Sequence, residues 1–251
     1  MALVQTFEKQ GNFLFKYRGQ FPLILFLIAI PFIFFTNYSS ITATNEKIYI
    51  IISVFLSLLG FFIRFYTIGT TPKGTSGRNT KEQVAEVLNS TGIYAIVRHP
   101  LYLGNYLIWI GVATFVFNLL FILLISLLFW IYYERIMFAE ERFLEKRFGE
   151  EYINWSNKIP AFIPNLSLYK KSLISFSIKP VLRREYSGIL ACVISFCFVD
   201  ILRNYKSYDC VIGEELFSEN MLYILGGTLI ISILLRTIKR NTQILNEKDR
   251  S

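Results

Sequence analysis

Two short groups of ionisable residues stand out from an otherwise apolar sequence. The first, Arg98-His99-Pro100, contains the single histidine of the chain and precedes a long apolar run. The second, Glu140-Glu141, follows after that run has ended. An arginine and a histidine at the start of a helix suit an anionic ligand, because the free amides of a helix N-terminus also attract negative charge. Two adjacent carboxylates suit hydroxyl groups or a positive centre.

The first group also has a purely structural interpretation. Arg98 is a candidate membrane anchor, and Pro100 fits the first position of a helix, where its missing N–H costs nothing. His99 is then a candidate helix cap. Taken alone, the group favours neither the ligand site nor the anchor.

The second group has a structural interpretation too. Glu140 and Glu141 are candidate solvated carboxylates that pair with basic neighbours on one helix. Their position favours a functional role, because no charge lies between Leu101 and Tyr133. That stretch predicts an apolar helical hairpin, with a tight turn at residues 117–118, that returns the glutamates to the face of His99.

The composition places this hairpin in a membrane protein. The chain is 53% hydrophobic and 17% aromatic, above the roughly 45–50% apolar share of soluble domains, and its apolar residues fall into runs. We expect an all-α integral membrane fold of about six transmembrane helices, at residues 19–36, 48–68, 100–117, 119–137, 186–202 and 221–235.

The segments between these spans carry further expectations. Residues 138–148, after the fourth span, predict an amphipathic, charged helical segment ending at Gly149, and residues 81–88 predict a short helix. Arg64, near the end of the second span, is expected to snorkel to the membrane surface. Pro160 and Pro164 interrupt an aromatic segment expected to lie along the interface. The tail from Arg236 is expected to be frayed.

The basic residues predict the orientation of the chain. With the N-terminus inside, 23 of the 26 lysines and arginines lie on inner segments, at residues 1–20, 64–98, 134–185 and 235–251. This distribution follows the positive-inside rule, so both termini and both ionisable groups are predicted to be cytoplasmic. The net charge of +8 is therefore assigned to the membrane surface, and nucleic acid is not an expected partner.

Metal and phosphate sites are not indicated. Cys192, Cys197 and Cys210 form no CxxC pair or Cys/His cluster, so we expect neither a disulfide framework nor a metal site. Gly74, Ser76 and Gly77 lack the lysine-serine/threonine pair of a P-loop and are interpreted as a flexible loop.

The two groups belong to a longer ordered motif. It runs Gly92-x-Tyr94, Arg98-His99-Pro100-x-Tyr102-x-Gly104, Glu140-Glu141, Leu144, Phe148-Gly149, Tyr152 and Pro160. With this motif the sequence resembles the isoprenylcysteine carboxyl methyltransferase and phospholipid N-methyltransferase group of membrane enzymes. The resemblance spans residues 92–164 and implies S-adenosylmethionine bound at the cytoplasmic ends of a helical hairpin. The sequence agrees in showing no strand followed by a glycine-rich turn, as a Rossmann-type domain has.

The resemblance also implies roles for individual residues. Glu140 and Glu141 would be catalytic, as a base if the acceptor is an amine, and Tyr152 and Trp155 would contact substrate. Two departures bear on the acceptor: Trp155 stands where a tyrosine is common, and Ala161 where a basic residue often follows the proline. The cofactor site would comprise Tyr94, Arg98, His99, Pro100, Tyr102, Gly104, Glu140 and Glu141.

The chain then divides into two N-terminal spans with a loop (residues 1–90), a methyltransferase core (91–165) and two C-terminal spans with a tail (166–251). The expected partners are the bilayer and a lipid or lipid-linked acceptor, with an isoprenylcysteine carboxylate, a phospholipid amine or a lipid phosphate all open. One alternative is an NADPH-dependent sterol-type reductase, which carries a related Arg-His-Pro element but is usually larger. Another is a non-enzymatic membrane protein with a degenerate site.

Overall fold

The computed structural model describes residues 2–20, 22–72, 74, 83–207, 218–247 and 250. Within these ranges the regular secondary structure is helical, with Gly92 and Lys170 joined by an isolated β-bridge. Ser76, Gly77 and Cys210 lie outside the described residues, and Cys192 and Cys197 are free and buried. The α-helices are α1 (Leu3–Lys16), α2 (Pro22–Phe35), α3 (Ala43–Gly69), α4 (Pro100–Thr114), α5 (Leu119–Phe148), α6 (Glu150–Ser156), α7 (Ile178–Ser207) and α8 (Glu219–Asn241).

Each of the six predicted spans forms a helix, and by length and composition four of them can cross a membrane: α3, α5, α7 and α8. Helix α2 has 14 residues and α4 has 15, so at 1.5 Å per residue each is shorter than the ~30 Å hydrocarbon core. The chain is thus a multi-pass helical membrane protein. The count of six spans stays a prediction.

Helix α5 joins the fourth predicted span and the amphipathic segment in one continuous helix. It runs without interruption to Phe148, because residues 119–148 contain neither glycine nor proline. The change from apolar to charged residues changes the environment of the helix but does not break its backbone hydrogen bonds. As predicted, it ends at Gly149, whose φ of 55° suits glycine. Asn118 caps its start by accepting from the Phe121 amide at 3.0 Å, after the tight turn at Phe117. Glu140 and Glu141 therefore sit on a rigid extension of a membrane span.

Helix α1 was not predicted. It packs along the charged half of α5, with Phe7 edge-to-face on Phe138 at 5.8 Å and the Arg135 guanidinium 3.5 Å from the Phe7 ring centre. Gly11 permits this contact, because a Cβ at that position would overlap the carbonyl oxygen of Arg135. The N-terminal residues are therefore part of the folded bundle.

Arg64 does not snorkel. Its guanidinium makes two 2.7 Å hydrogen bonds to the Glu185 carboxylate on α7 and a 2.5 Å bond to Asn105 Oδ1 on α4. The Glu185 side chain is only 3% exposed, and a buried carboxylate requires such a partner. This contact joins a C-terminal span to the hairpin.

The C-terminal tail is also more ordered than predicted. Helix α8 continues to Asn241, Leu245 is buried, and Glu247 Oε2 accepts from Ser177 Oγ at 2.5 Å. Arg250 donates to the carbonyl of Gly69 at 2.5 Å, at the end of α3. In the predicted helix at residues 81–88, the described residues 83–88 are not helical.

Candidate active site

A cavity of about 490 Å³ opens where α4 begins and α5 leaves the apolar part of the bundle. Its volume falls within the roughly 300–1,000 Å³ of small-molecule sites. The structure brings most of the sequence-predicted site residues to its wall, namely Tyr94, Arg98, His99, Pro100, Tyr102, Glu140, Tyr152 and Trp155.

His99 is held between the two glutamates. Its Nε2 atom lies 2.8 Å from Glu141 Oε1, and its Nδ1 atom lies 3.5 Å from Glu140 Oε2. The ring stacks on Tyr102 with centroids 5.6 Å apart, and the side chain is 5% exposed. Although His99 occupies the N-cap position of α4, its side chain caps no amide. The helix-cap interpretation is therefore wrong.

This arrangement shifts the proton affinity of His99. Burial alone would lower the pKa of His99, but the hydrogen bonds and negative charges of Glu140 and Glu141 outweigh it, so the pKa lies above that of a free histidine. The imidazole thus keeps its proton to higher pH and offsets one of the two carboxylate charges.

Arg98 bridges two helices and does not extend as a membrane anchor. Its Nε atom lies 3.2 Å from Glu141 Oε1 on α5, and its Nη1 donates to the Ser156 carbonyl at the end of α6, at 3.0 Å. A cation near the last carbonyls of a helix is favoured electrostatically. The side chain is partly exposed and lines the cavity.

The two glutamates differ in position. Glu140 lies on the cavity wall, whereas Glu141 is absent from the wall and contacts His99 and Arg98 from behind. Burial, and then the negative charge of Glu141, raise the pKa of Tyr152, which is 4% exposed. Consecutive helical residues point about 100° apart. The Glu140 carboxylate therefore faces the cavity, whereas the Glu141 carboxylate holds the side chains of His99 and Arg98 in place.

Trp155 also lies on this wall. Its indole Nε1 is buried and has no hydrogen-bond partner within the part of the chain that the structure describes. Buried polar groups normally have partners, so this donor is an exception beside the cavity.

Gly104, like Glu141, is a predicted cofactor-site residue that does not line the cavity. It faces α3, where an added Cβ would lie 2.8 Å from the Gly60 carbonyl oxygen and 2.5 Å from Arg64 Cγ. Neither glycine is among the cavity-lining residues. Gly104 thus allows close packing of α3 on α4.

Several lining residues were missed by the sequence reasoning, among them Arg18, Arg64, Asn105, Tyr133 and Arg184. Asn105 Nδ2 donates to the Tyr133 hydroxyl at 2.8 Å, so both belong to the network around Arg64. A charged residue within an apolar run indicates that its side chain pairs with another buried polar group. Arg64 shows this pattern in the sequence. Arg18 and Arg184 carried no comparable signal.

The loop that bears Arg98 and His99 is fixed by its backbone. The amides of these two residues donate to the carbonyls of Pro160 at 2.9 Å and Ala161 at 3.2 Å. The Asn165 amide donates to the Ile96 carbonyl, and the Gly92 amide to the Lys170 carbonyl, each at 2.9 Å. The loop and residues 160–170 therefore form one backbone-linked unit.

Residues 48–151 match the family model described as Phospholipid methyltransferase. The predicted resemblance to the isoprenylcysteine and phospholipid methyltransferase group is confirmed. The chain is 34% identical to protein-S-isoprenylcysteine O-methyltransferase of Schizosaccharomyces pombe over 85 residues, 34% of this chain and 36% of that protein. It is 30% identical to the Saccharomyces cerevisiae protein of the same name over 119 residues, 47% of this chain and 50% of that protein.

A third relative has a different name. The chain is 35% identical to cobalt-zinc-cadmium resistance protein CzcN of Cupriavidus metallidurans over 83 residues, 33% of this chain and 38% of that protein. The chain thus spans about half or less of the length of these curated relatives. No solved structure matches it.

The matched region holds the core of the membrane-methyltransferase resemblance. It includes α4 and α5 with Arg98, His99, Glu140 and Glu141. Trp155 on α6 and all of α7 lie beyond it. Part of the cavity wall is therefore built by elements outside the matched region.

Proposed function

We propose that this protein transfers a methyl group from S-adenosylmethionine to an anionic oxygen of a lipid or lipid-linked acceptor, at the cytoplasmic face of the membrane. One observation carries the proposal. The arginine-histidine pair and the glutamate pair, far apart in the methyltransferase-like sequence, meet around one cavity of about 490 Å³.

The cavity wall fits S-adenosylmethionine in both size and chemistry. Glu140 offers a carboxylate for ribose hydroxyls or a positive centre, and Trp155 is a further aromatic residue of the wall. Tyr102 presents an aromatic surface beside His99. Arg98 and the N-terminus of α4 suit the carboxylate of an amino acid. When bound, S-adenosylmethionine supplies an electrophilic methyl group.

The charges of the wall favour an anionic acceptor. Arg18, Arg64, Arg98 and Arg184 line the cavity, and Glu140 is the carboxylate among the described lining residues. A carboxylate or phosphate oxygen is already deprotonated near neutral pH, so its methylation needs alignment and no general base. On this basis Glu140 binds the methyl donor, and Glu141 positions His99 and Arg98. The relatives named O-methyltransferases support the same class.

The apolar part of the wall favours a lipid-linked acceptor. Phe15, Pro22, Ile68, Leu101 and Trp109 are apolar residues of the wall. Apolar surface of this kind gains free energy by covering hydrocarbon, at about 25 cal/mol per Å² buried. A cavity lined by both charged and apolar side chains matches an acceptor that has both.

Two measurements test the proposal. Calorimetry of the full chain in detergent should show saturable binding of S-adenosylmethionine or its demethylated product and none of NADPH. Membranes containing the protein, given methyl-labelled S-adenosylmethionine, should yield label in extracted lipid or lipid-linked material as a base-labile ester. Saturable NADPH binding without a response to either sulfur compound would refute the methyl donor, and label confined to amines would refute the acceptor class.

A further inference from the structure

Residues 158–179, here called the docking segment, combine exposed apolar side chains with lysines. Ile163 is 80% exposed, Leu166 74% and Leu173 87%. Lys158, Lys170, Lys171 and Lys179 are also exposed, and the segment contains no aspartate or glutamate. The segment lies outside the matched region at 48–151.

Two contacts place the docking segment at the boundary of the hydrocarbon. Phe162 packs edge-on against Trp130 of the span α5, with ring centroids 5.9 Å apart. Phe176 lies against Gly69, the last residue of the span α3, where an added Cβ would meet its ring. Trp130 lies seven residues inside the predicted span at 119–137, whereas Gly69 lies at the end of α3. The segment therefore runs from the hydrocarbon depth of α5 to the end of α3, where apolar side chains reach hydrocarbon and lysines reach headgroups.

The docking segment is joined to the candidate site by main-chain hydrogen bonds. The carbonyls of Pro160 and Ala161 accept from the amides of Arg98 and His99. The carbonyl of Lys170 accepts from the Gly92 amide. A displacement of the segment therefore moves or releases the loop that carries Arg98 and His99.

We propose that the docking segment binds the headgroups of anionic phospholipids in the leaflet on the side of the cavity, and that this binding holds the Arg98-His99 loop in place. The argument is charge complementarity: exposed lysines without an acidic neighbour in the segment, beside leucine and isoleucine side chains at the membrane boundary. Each lysine near an anionic surface contributes roughly fivefold in affinity. The inference concerns lipid binding and loop order, so its outcome is independent of whether the protein transfers methyl groups.

The test uses the full chain in nanodiscs of phosphatidylcholine alone or mixed with phosphatidylglycerol. The triple variant Lys170→Gln, Lys171→Gln, Lys179→Gln keeps every main-chain bond and removes three charges. The matched control, Lys9→Gln, Arg236→Gln, Arg240→Gln, removes three exposed charges from the same predicted face. Retained phosphatidylglycerol is counted by native mass spectrometry, and hydrogen exchange is followed at the amides of Arg98 and His99.

The parent and the control should retain phosphatidylglycerol and exchange these two amides slowly when it is present. The lysine variant should bind phosphatidylglycerol about a hundredfold more weakly and should exchange both amides faster. Equal phosphatidylglycerol retention in the two triple variants would overturn the binding site. Lost retention with unchanged exchange would overturn the link to the loop.

A second variant distinguishes lipid from protein as the occupant. A spin-labelled or fluorescent probe at Leu173→Cys should be quenched by lipid-borne quenchers placed near the headgroup. Efficient cross-linking of this cysteine to a second copy of the chain, without quenching by lipid, would overturn the proposal.

Discussion

The Nε2 atom of His99 lies 2.8 Å from Oε1 of Glu141, although 42 positions separate the two residues. This contact closes the α4–α5 hairpin at the cavity. The His99 side chain is 5% exposed and that of Glu141 is 27% exposed, so the contact is better shielded than an ion pair between two exposed side chains. The glutamate therefore fixes the orientation of the ring that lines the cavity.

Replacing Glu141 by glutamine should weaken S-adenosylmethionine binding without unfolding the protein. The amide keeps the size of the side chain but loses the charge that holds His99 and Arg98. Loss of a charge-assisted hydrogen bond costs about 1.5–3 kcal/mol, or roughly ten- to a hundredfold in affinity. Glu145→Gln is the control, because Glu145 pairs with Arg142 on the partly exposed side of the same helix. Equal affinities for parent, E141Q and E145Q would contradict the positioning role.

The raised pKa of His99 predicts a pH-dependent stability. A histidine with a higher pKa when folded stabilises the fold fully below its unfolded pKa of about 6.5. That contribution is lost as pH rises through the folded pKa. Thermal unfolding in detergent should therefore show a midpoint that falls more between mildly acidic and alkaline pH for the parent than for His99→Gln. Parallel pH profiles would mean that the glutamates do not bind the protonated ring.

The Arg64–Glu185 pair should contribute to stability in a strongly non-additive way. Removing one partner of a buried ion pair typically costs 3–5 kcal/mol, because it leaves the other charge without compensation, whereas apolar replacement of both costs far less. We expect Glu185→Leu or Arg64→Met alone to reduce unfolding midpoints sharply, and the double variant to recover much of the loss. A double-mutant cycle in detergent measures this coupling, and simple additivity would contradict it.

Gly104→Val should reduce stability and leave cofactor affinity unchanged. The added side chain meets the Gly60 carbonyl and the stem of Arg64, and overpacking of this kind costs about 1–3 kcal/mol. The comparison is between thermal stability and S-adenosylmethionine affinity of the folded fraction. A large loss of affinity with unchanged stability would restore the cofactor role that the resemblance implied for this glycine.

The predicted orientation can be tested at two exposed positions. Asn45 lies at the start of α3, at the end opposite to the candidate site, and Ser167 lies in the docking segment. With Cys210 replaced by serine, a membrane-impermeant thiol reagent applied from outside should label Asn45→Cys and spare Ser167→Cys, in agreement with the positive-inside distribution. The reverse pattern would invert the topology.

The local features of the site were predictable from sequence because they depend on neighbours in the chain. The apolar run after Pro100 predicts a helix, and its length sets the return of Glu140. The sequence did not show that the fourth span and the amphipathic segment are one helix, although a change from apolar to charged residues does not interrupt a helix that lacks glycine and proline. The contact of Arg64 with Glu185 could not be predicted from the sequence. The two residues are 121 positions apart, so their contact depends on how separate spans pack.

The link between the Arg98-His99 loop and residues 160–170 is made by amides and carbonyls, so it does not depend on which side chains those residues carry. Substitutions there can accumulate while the connection persists, provided that no proline removes a donating amide. The unit that shapes the site therefore extends past residue 151, where the family-model match ends. Alanine substitutions would not remove this link, because they keep the main-chain amides and carbonyls. A single amide-to-ester replacement at His99 removes one donating N–H and would therefore measure its contribution.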